Sequence, residues 1–344
     1  MSERCTAAAF TWKDVLISRN EIFGLAALWI VLFHIREYLG MASFPGSYLL
    51  VSVIVVGNCG VDIFLFLSAV GLYHSMQTHS PAVFYRNRAR RIILPYLMAA
   101  IPYFIWYDFL FMKDGVWQFA ANVLTVNYWL APKYPIWYVS FVVVIYALFP
   151  LIYRADVKTG HKSTIGLIIL SVAAEYLLMK TGSAFFNNAE RAMSRLPVFL
   201  LGVALAPYIL RGGKITRWQV AVAFAGAAAV FCVVTFADPY LVLERYLYCP
   251  LAVCIIVAFS YIRKVLPLKP LFRCFGWVGG ISFELYAVHV LLVKGIHQQK
   301  LWRLIDSKLV WYVLIVAGSV AAAKLICVVS GRPNSWLFPE RRDN

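Results

Sequence analysis

The sequence predicts an all-α protein that crosses a membrane about ten times, and three observations carry that expectation. Hydrophobic residues make up 62% of the 344 positions and charged residues only 14%. A water-soluble domain of this size has no interior large enough to hide so much apolar surface, so the surplus must face lipid. The apolar residues come in runs of about 17–25, the length a helix needs to cross the hydrocarbon core. The Lys and Arg residues behind the net charge of +16 fall mostly in alternate connecting segments, the pattern of a protein that keeps its basic loops in the cytoplasm. A nucleic-acid-binding protein can share that charge but not this hydropathy, so no nucleic-acid partner is expected.

Taken in order, spans are expected at 22–40, 48–74, 91–112, 136–153, 164–180, 194–210, 217–236, 243–262, 275–295 and 309–329. Residues 1–20 are polar and mixed, and the first apolar run is itself a full span, so no cleavable signal peptide is expected. A further run, 116–130, is aromatic, contains Asn122 and Asn127, and reads as a short interfacial helix or a re-entrant segment. One set of connecting segments holds Arg4, Lys13 and Arg19; Arg86, Arg88, Arg90 and Arg91; and Arg154, Lys158 and Lys162. The same set continues with Arg211, Lys214 and Arg217; Arg263, Lys264, Lys269 and Arg273; and Arg332, Arg341 and Arg342. The opposite set is poorer, chiefly Lys113, Lys133, Lys180, Arg191, Lys294, Lys300, Arg303 and Lys308. Both termini are therefore expected in the cytoplasm of a cell (plasma) membrane, in keeping with an even number of spans. The basic loop from Lys294 to Lys308 runs against the rule. Stretches outside the membrane reach only about twenty residues, too short for another folded module, so 1–344 is expected to form a single integral membrane domain. No internal repeat of the transporter kind is visible. The seven cysteines, Cys5 among them, lack paired spacing, and neither a disulfide framework nor a metal site is expected.

The residues able to do chemistry lie within the spans. In 21–38, EIFGLAALWIVLFHIREY, His34 stands twelve residues above the inner end of its expected span, ~18 Å deep at 1.5 Å per residue. An ionisable group is expensive there and marks a functional site by default; a neutral histidine bonded between helices is the plainer alternative. Asp62 lies twelve residues from the inner end of the next span. The loop between the two spans is short, so they are expected to be antiparallel neighbours with His34 and Asp62 paired at equal depth. The carboxylate would orient the imidazole and raise its basicity for general-base work, or the pair would merely glue two helices together. Glu284 and His289, in ISFELYAVHV, are five residues or ~7.5 Å apart along a helix axis, at a depth comparable with His34. The run FYRNRARRIILPYL, 84–97, places Arg86, Arg88, Arg90 and Arg91 at the mouth of the third span. Such a cluster serves as a topology signal or anionic-lipid contact, or as a phosphate clamp, because guanidinium groups match phosphate geometry in a bidentate way. Arg88 and Arg91 share a helix face if the helix already runs there.

The stretches RNEIFGLAALWIVLFH, CGVDIFLFLSAVGL, YRNRARRIILPYL, WYVSFVVVIYALFPLIY, RLPVFLLG and SFELYAVHV occur in this order across nearly the whole chain. Together they resemble the acyltransferase-3 family of integral membrane O-acyltransferases. The resemblance implies ten or so helices and an acyl-CoA donor, usually acetyl-CoA, used from the cytoplasm. It also implies an acceptor hydroxyl, often on a sugar of a cell-surface glycan or a lipid-linked sugar, and no metal. It casts His34 as the essential histidine, Asp62 as the acidic residue of the GVD motif, and Arg88 and Arg91 as the basic motif ahead of the third helix. One departure stands out: the arginine common in the family eleven residues before the histidine is Phe23 here, just before Gly24. Arg19, one turn earlier on the same face, is expected to supply that charge from nearer the cytoplasm.

On this reading the CoA phosphates dock on Arg86–Arg91, and an extended pantetheine arm, on the order of 15–20 Å, bridges the depth to His34. His34 takes the proton of the acceptor hydroxyl, or carries the acyl group itself in a two-step route, and Asp62 stabilises the imidazolium. Ser68, Trp137 and Tyr286 are candidate donors to the oxyanion. Tyr138, Arg195, Glu284 and His289 are candidate supporting or substrate residues. Tyr103, Trp106, Tyr107, Trp137 and Tyr138 suit a sugar platform and an interfacial aromatic belt equally. Two other readings stand beside it: a permease with His34, Asp62, Glu284 and His289 lining its path, and a non-catalytic membrane partner of a glycan-assembly complex.

Overall fold

A computed structural model of the chain describes residues 9–39, 48–130, 136–182, 184–236 and 241–331. In hydrocarbon a backbone satisfies its hydrogen bonds only within a helix or a closed barrel, and the apolar runs fold as helices throughout. They are α1 (Trp12–Ile17), α2 (Arg19–Leu39), α3 (Tyr48–Val56), α4 (Gly60–Thr78), α5 (Pro81–Arg88), α6 (Leu94–Phe104), α7 (Val116–Val123), α8 (Asn127–Leu130) and α9 (Trp137–Thr159). The rest are α10 (Lys162–Thr181), α11 (Ala184–Met193), α12 (Leu196–Leu210), α13 (Arg217–Phe236), α14 (Leu241–Val265), α15 (Lys269–Gly280), α16 (Ser282–Gln298) and α17 (Lys308–Val329). A 3-10 turn at Gly57–Cys59 joins α3 to α4, and a π-helical turn at Ala89–Ile93 joins α5 to α6, which continues in π form over Ile105–Met112. Among the described residues there is no strand, only a lone bridge between Thr11 and Lys214.

Nine helical segments among the described residues are long and apolar enough to cross a membrane, ten if α15 and α16, bent by 73°, count together as one crossing. The expected spans are all present, but three features differ. The third begins at Pro81 rather than 91: the Ser80 hydroxyl accepts from the Val83 N–H and Pro81 occupies the first turn, a start signal that sets the arginine run inside a helix. The ninth, expected unbroken at 275–295, breaks at Ile281. The expected interfacial helix at 116–130 is two short helices, with Thr125 left-handed between them (φ 65°). Its asparagines point inward: Asn122 Nδ2 donates to Asp108 Oδ1 (2.8 Å) and Asn127 Nδ2 to Asn122 Oδ1 (2.7 Å), and all three residues are buried.

The break at Ile281 follows from packing. A Cβ on Gly24 would stand 1.8 Å from the carbonyl oxygen of Phe275, and one on Gly279 would stand 1.8 Å from that of Asn20. The α2 and α15 backbones thus touch, which in a membrane only small residues permit. Having seated itself on α2, the chain turns to send α16 between α2, α6 and α17. At the same end of the bundle the Trp12 N–H donates to Gly213 O (3.0 Å), the Ile215 N–H to Phe10 O (2.8 Å), Arg263 Nε to Glu21 Oε1 (2.7 Å) and Lys264 Nζ to Asp14 Oδ2 (3.1 Å). These contacts gather the start of the chain, the α12–α13 turn and the end of α14 at what is here called the basic end. Arg4, Cys5, Lys133, Arg332, Arg341 and Arg342 lie outside the described residues.

Candidate active site

Near the basic end, α2, α4, α9, the third span and the first turn of α16 line a cavity of about 40 Å³. Three arginines reach it. Arg19, buried at the start of α2, lies with its guanidinium 4.6 Å from the Phe23 ring centroid. Its Nη2 is 3.2 Å from where a Cβ on Gly71 would stand, so the glycine leaves room for it. Arg88 is buried, its guanidinium 5.6 Å from the Phe84 ring centroid, and Arg91 enters from the π-helical turn that follows. Arg86 and Arg90 are exposed and do not line the cavity, so the expected arginine set narrows. Ser68, Tyr138, Tyr146, Ser282 and Tyr286 supply polar atoms to the wall, and no Asp or Glu lines it among the described residues. Guanidinium groups gathered in one lining suit an anion, phosphate above all.

From this cavity a row of rings leads away from the basic end. Tyr138 and Tyr286, both in the wall, meet edge to face at 4.9 Å; Tyr286 lies 5.7 Å from His289; and His289 lies 5.4 Å from His34. Each histidine has a defined tautomer, because a carbonyl or carboxylate can only accept. His289 Nδ1 donates to Leu285 O (2.8 Å), and its Nε2 makes no hydrogen bond among the described residues. His34 Nδ1 bonds Glu37 Oε2 (2.9 Å), which leaves Nε2 as the basic nitrogen. The His34 side chain is 14% exposed.

The expected His34–Asp62 pair does not form. Gly60 packs at the level of Ala26 and Ile30. Asp62 lies two residues from Gly60 towards the basic end and His34 four residues from Ile30 the other way, an axial offset of about 9 Å at 1.5 Å per residue. The estimate of equal depth failed because α4 runs to Thr78 and α2 starts at Arg19, opposite Gly71. The two helices therefore do not end at one level. Asp62 instead faces Arg195 (Oδ2 to Nε 3.6 Å), which also donates to Asn58 Oδ1 (2.8 Å) and lies 5.1 Å from the Trp137 ring centroid. Trp137 thus braces Arg195 and is no part of the cavity wall. Nearby are the buried pair Arg245 with Glu190 and the half-buried pairs Tyr246 with Glu175 and Tyr248 with Glu244. Glu284, wholly buried in the first turn of α16, does not line the cavity either.

Sequence reasoning missed Glu37 and Tyr146. Glu37 had a signal, since residues three apart on a helix are neighbours. Tyr146 had none, sitting in an apolar stretch of α9 like any packed aromatic.

The class is then clear: a multi-pass membrane protein with an arginine-lined interior cavity linked by rings to an oriented histidine. The family model described as an acyltransferase domain, that of the acyltransferase-3 family, matches residues 24–328. The chain belongs to this family and is a membrane acyltransferase. No curated protein and no solved structure matches it.

Proposed function

We propose that the protein moves an acyl group, acetyl in the first instance, from acyl-CoA to a hydroxyl of an extracytoplasmic glycan acceptor, with His34 as general base. The observation that carries this reading is the arginine cavity with its row of rings ending at His34. The basic end faces the cytoplasm, as the Lys/Arg bias of the loops supports, and the membrane is the plasma membrane. The CoA phosphates bind Arg19, Arg88 and Arg91. The pantetheine arm runs past Tyr138 and Tyr286, and the thioester comes to rest near His289 and His34.

His34 Nε2 takes the proton of the acceptor hydroxyl while Glu37 accepts from Nδ1–H and stabilises the imidazolium, the part first expected of Asp62. The alkoxide oxygen bonds to the thioester carbon, and the Tyr286 hydroxyl donates to the oxyanion. Collapse breaks the carbon–sulfur bond, and the departing thiolate takes the proton from His34. Asp62 and Arg195 hold α4, α9 and α12 in register around the site.

The test is equilibrium binding of acetyl-CoA to the purified protein in nanodiscs, together with radiolabelled acetyl transfer in membranes. Wild type should bind, and Arg19→Ala, Arg88→Ala and Arg91→Ala should each weaken binding. Unchanged affinity in all three would return the arginines to a topology or lipid role.

A further inference from the structure

His289 takes no part in the steps above, yet it stands between the groups that do. It is buried in α16, 5.7 Å ring to ring from Tyr286 on the cavity side and 5.4 Å from His34 on the other. Its Nδ1–H is engaged by Leu285 O (2.8 Å), so its Nε2 is a bare lone pair, and that atom has no hydrogen-bond partner among the described residues. An unsatisfied buried acceptor is unusual, and it fits a group whose donor arrives only during the reaction.

His34 becomes that donor once it carries a proton. Its Nδ1 is held by Glu37 Oε2 (2.9 Å), so at rest its Nε2 is also a lone pair. Both remaining nitrogens are then acceptors, and no bond forms between the rings. Two imidazoles joined by one N–H···N bond of about 3 Å have centroids roughly 5.2 Å apart, since each nitrogen lies about 1.1 Å from its ring centre. The rings here are 5.4 Å apart, the spacing of a single hydrogen bond. A contact unmade at rest and made after proton transfer favours the transition state over the ground state.

The proton also has a distance to cover. It starts on a hydroxyl at His34 and ends on a sulfur that comes from the cavity, past Tyr138 and Tyr286. A free thiolate and a separate imidazolium inside the bundle would be two costly charges. We propose that His289 is a second catalytic residue, the proton relay between His34 and the leaving sulfur. His34 Nε2 takes the hydroxyl proton as the alkoxide oxygen bonds to the thioester carbon. The imidazolium passes that proton to His289 Nε2, whose Nδ1–H stays on Leu285 O. As the carbon–sulfur bond breaks, its electron pair goes to sulfur, and His289 Nε2–H protonates it. Both imidazoles end neutral, and the products are the ester and the CoA thiol. This rests on the acyltransferase reading and adds a residue to its chemistry.

The test compares two radiolabelled donors in membranes holding the native acceptor: acetyl-CoA, and its counterpart with selenium in place of the thioester sulfur. A selenol is far more acidic than a thiol, so the selenolate leaves without a proton, and the His34 proton is lost to water. His289→Gln keeps a polar side chain of similar reach but cannot carry a proton. It should lower kcat with acetyl-CoA at least a hundredfold, the usual worth of an acid or base, with KM near wild type. With the selenium donor it should lose less than threefold. His34→Ala should lose transfer from both donors alike. His289→Asn is the second variant should His289→Gln not fold, with acetyl-CoA binding in nanodiscs as the check. A folded variant that loses both donors equally would make His289 a packing residue and overturn the relay, as would one that transfers from acetyl-CoA like wild type. Absence of transfer by the wild type from either donor would instead sink the acyltransferase reading beneath it.

Discussion

The cavity near the basic end and the ion pairs around Asp62 bury the same chemistry in opposite ways. At the cavity three guanidinium groups converge, with no carboxylate in the lining among the described residues. Around Asp62, Arg195 and Arg245 each face an acid, Asp62 and Glu190. A charge inside a membrane protein is costly in either place. In the second region the protein supplies the counter-charge itself, and the result is a fixed joint between helices. In the first the lining offers cationic and hydroxyl groups only, the setting the proposed function assigns to an anionic ligand. Which acids accompany buried arginines therefore says more about their purpose than their burial does.

The largest effect is expected at the proposed base. His34→Ala should lower acyl transfer by roughly 10²–10⁴-fold, the usual worth of a general base, with acetyl-CoA affinity and thermal stability near wild type. Substantial transfer by a well-folded His34→Ala protein would move the base to His289. The joint should answer to truncation of either partner. Arg195→Ala or Asp62→Ala, each leaving a charge buried and alone, should cost about 3–5 kcal/mol of stability, read as a lowered melting temperature in detergent. The apolar pair Asp62→Leu with Arg195→Met should recover most of it. If the double variant melts with the singles, the pair does more than hold helices.

Arg88→Ala should do the reverse of Arg195→Ala. Its melting temperature should hold while acetyl-CoA binding weakens by about 1.5–3 kcal/mol, the worth of a charged hydrogen bond, as calorimetric titration would show. A melting temperature that falls as far as that of Arg195→Ala would make the two regions one kind of structure. The smallest effect belongs to Glu37→Gln. Its side chain is 39% exposed, and solvent-screened pairs are worth roughly 0.2–1 kcal/mol, so initial transfer rates should fall by less than an order of magnitude. A collapse as deep as that of His34→Ala would mean that the carboxylate shares in proton transfer.

Much of the fold was legible because hydropathy and length are properties of single runs. The spans at 217–236 and 309–329 come out almost to the residue, as Arg217–Phe236 and Lys308–Val329. What hydropathy does not carry is where a helix begins among polar residues, and the third span started ten residues early because Ser80 and Pro81 outweigh the arginines that follow. Nor does it carry contacts between helices. The break at Ile281 is fixed by the packing of α15 on α2, and its signal in the sequence, the Gly279–Gly280 pair, is outweighed by the hydropathy of the run around it. The site divides in the same way. Arg19, Arg88, Arg91, Tyr138 and Tyr286 were nameable from residue type and position, and all five line one cavity. The partner of His34 was sought across helices, by counting depth from ends that are not level, when it stood one turn along the same helix.

With the α2 and α15 backbones in contact at Gly24 and Gly279, and hydrogen bonds from the Ile281 and Leu285 N–H groups carrying the chain through the bend, the three helices α2, α15 and α16 form a bracket. A lone helix answers a thicker or thinner bilayer by tilting. A bracket can only tilt whole, and the 5.4 Å between the imidazoles on its two arms stays as it is. A cell that remodels its lipids with temperature or growth phase would thus carry this enzyme along unchanged, its chemistry insulated from the thickness of the membrane that houses it.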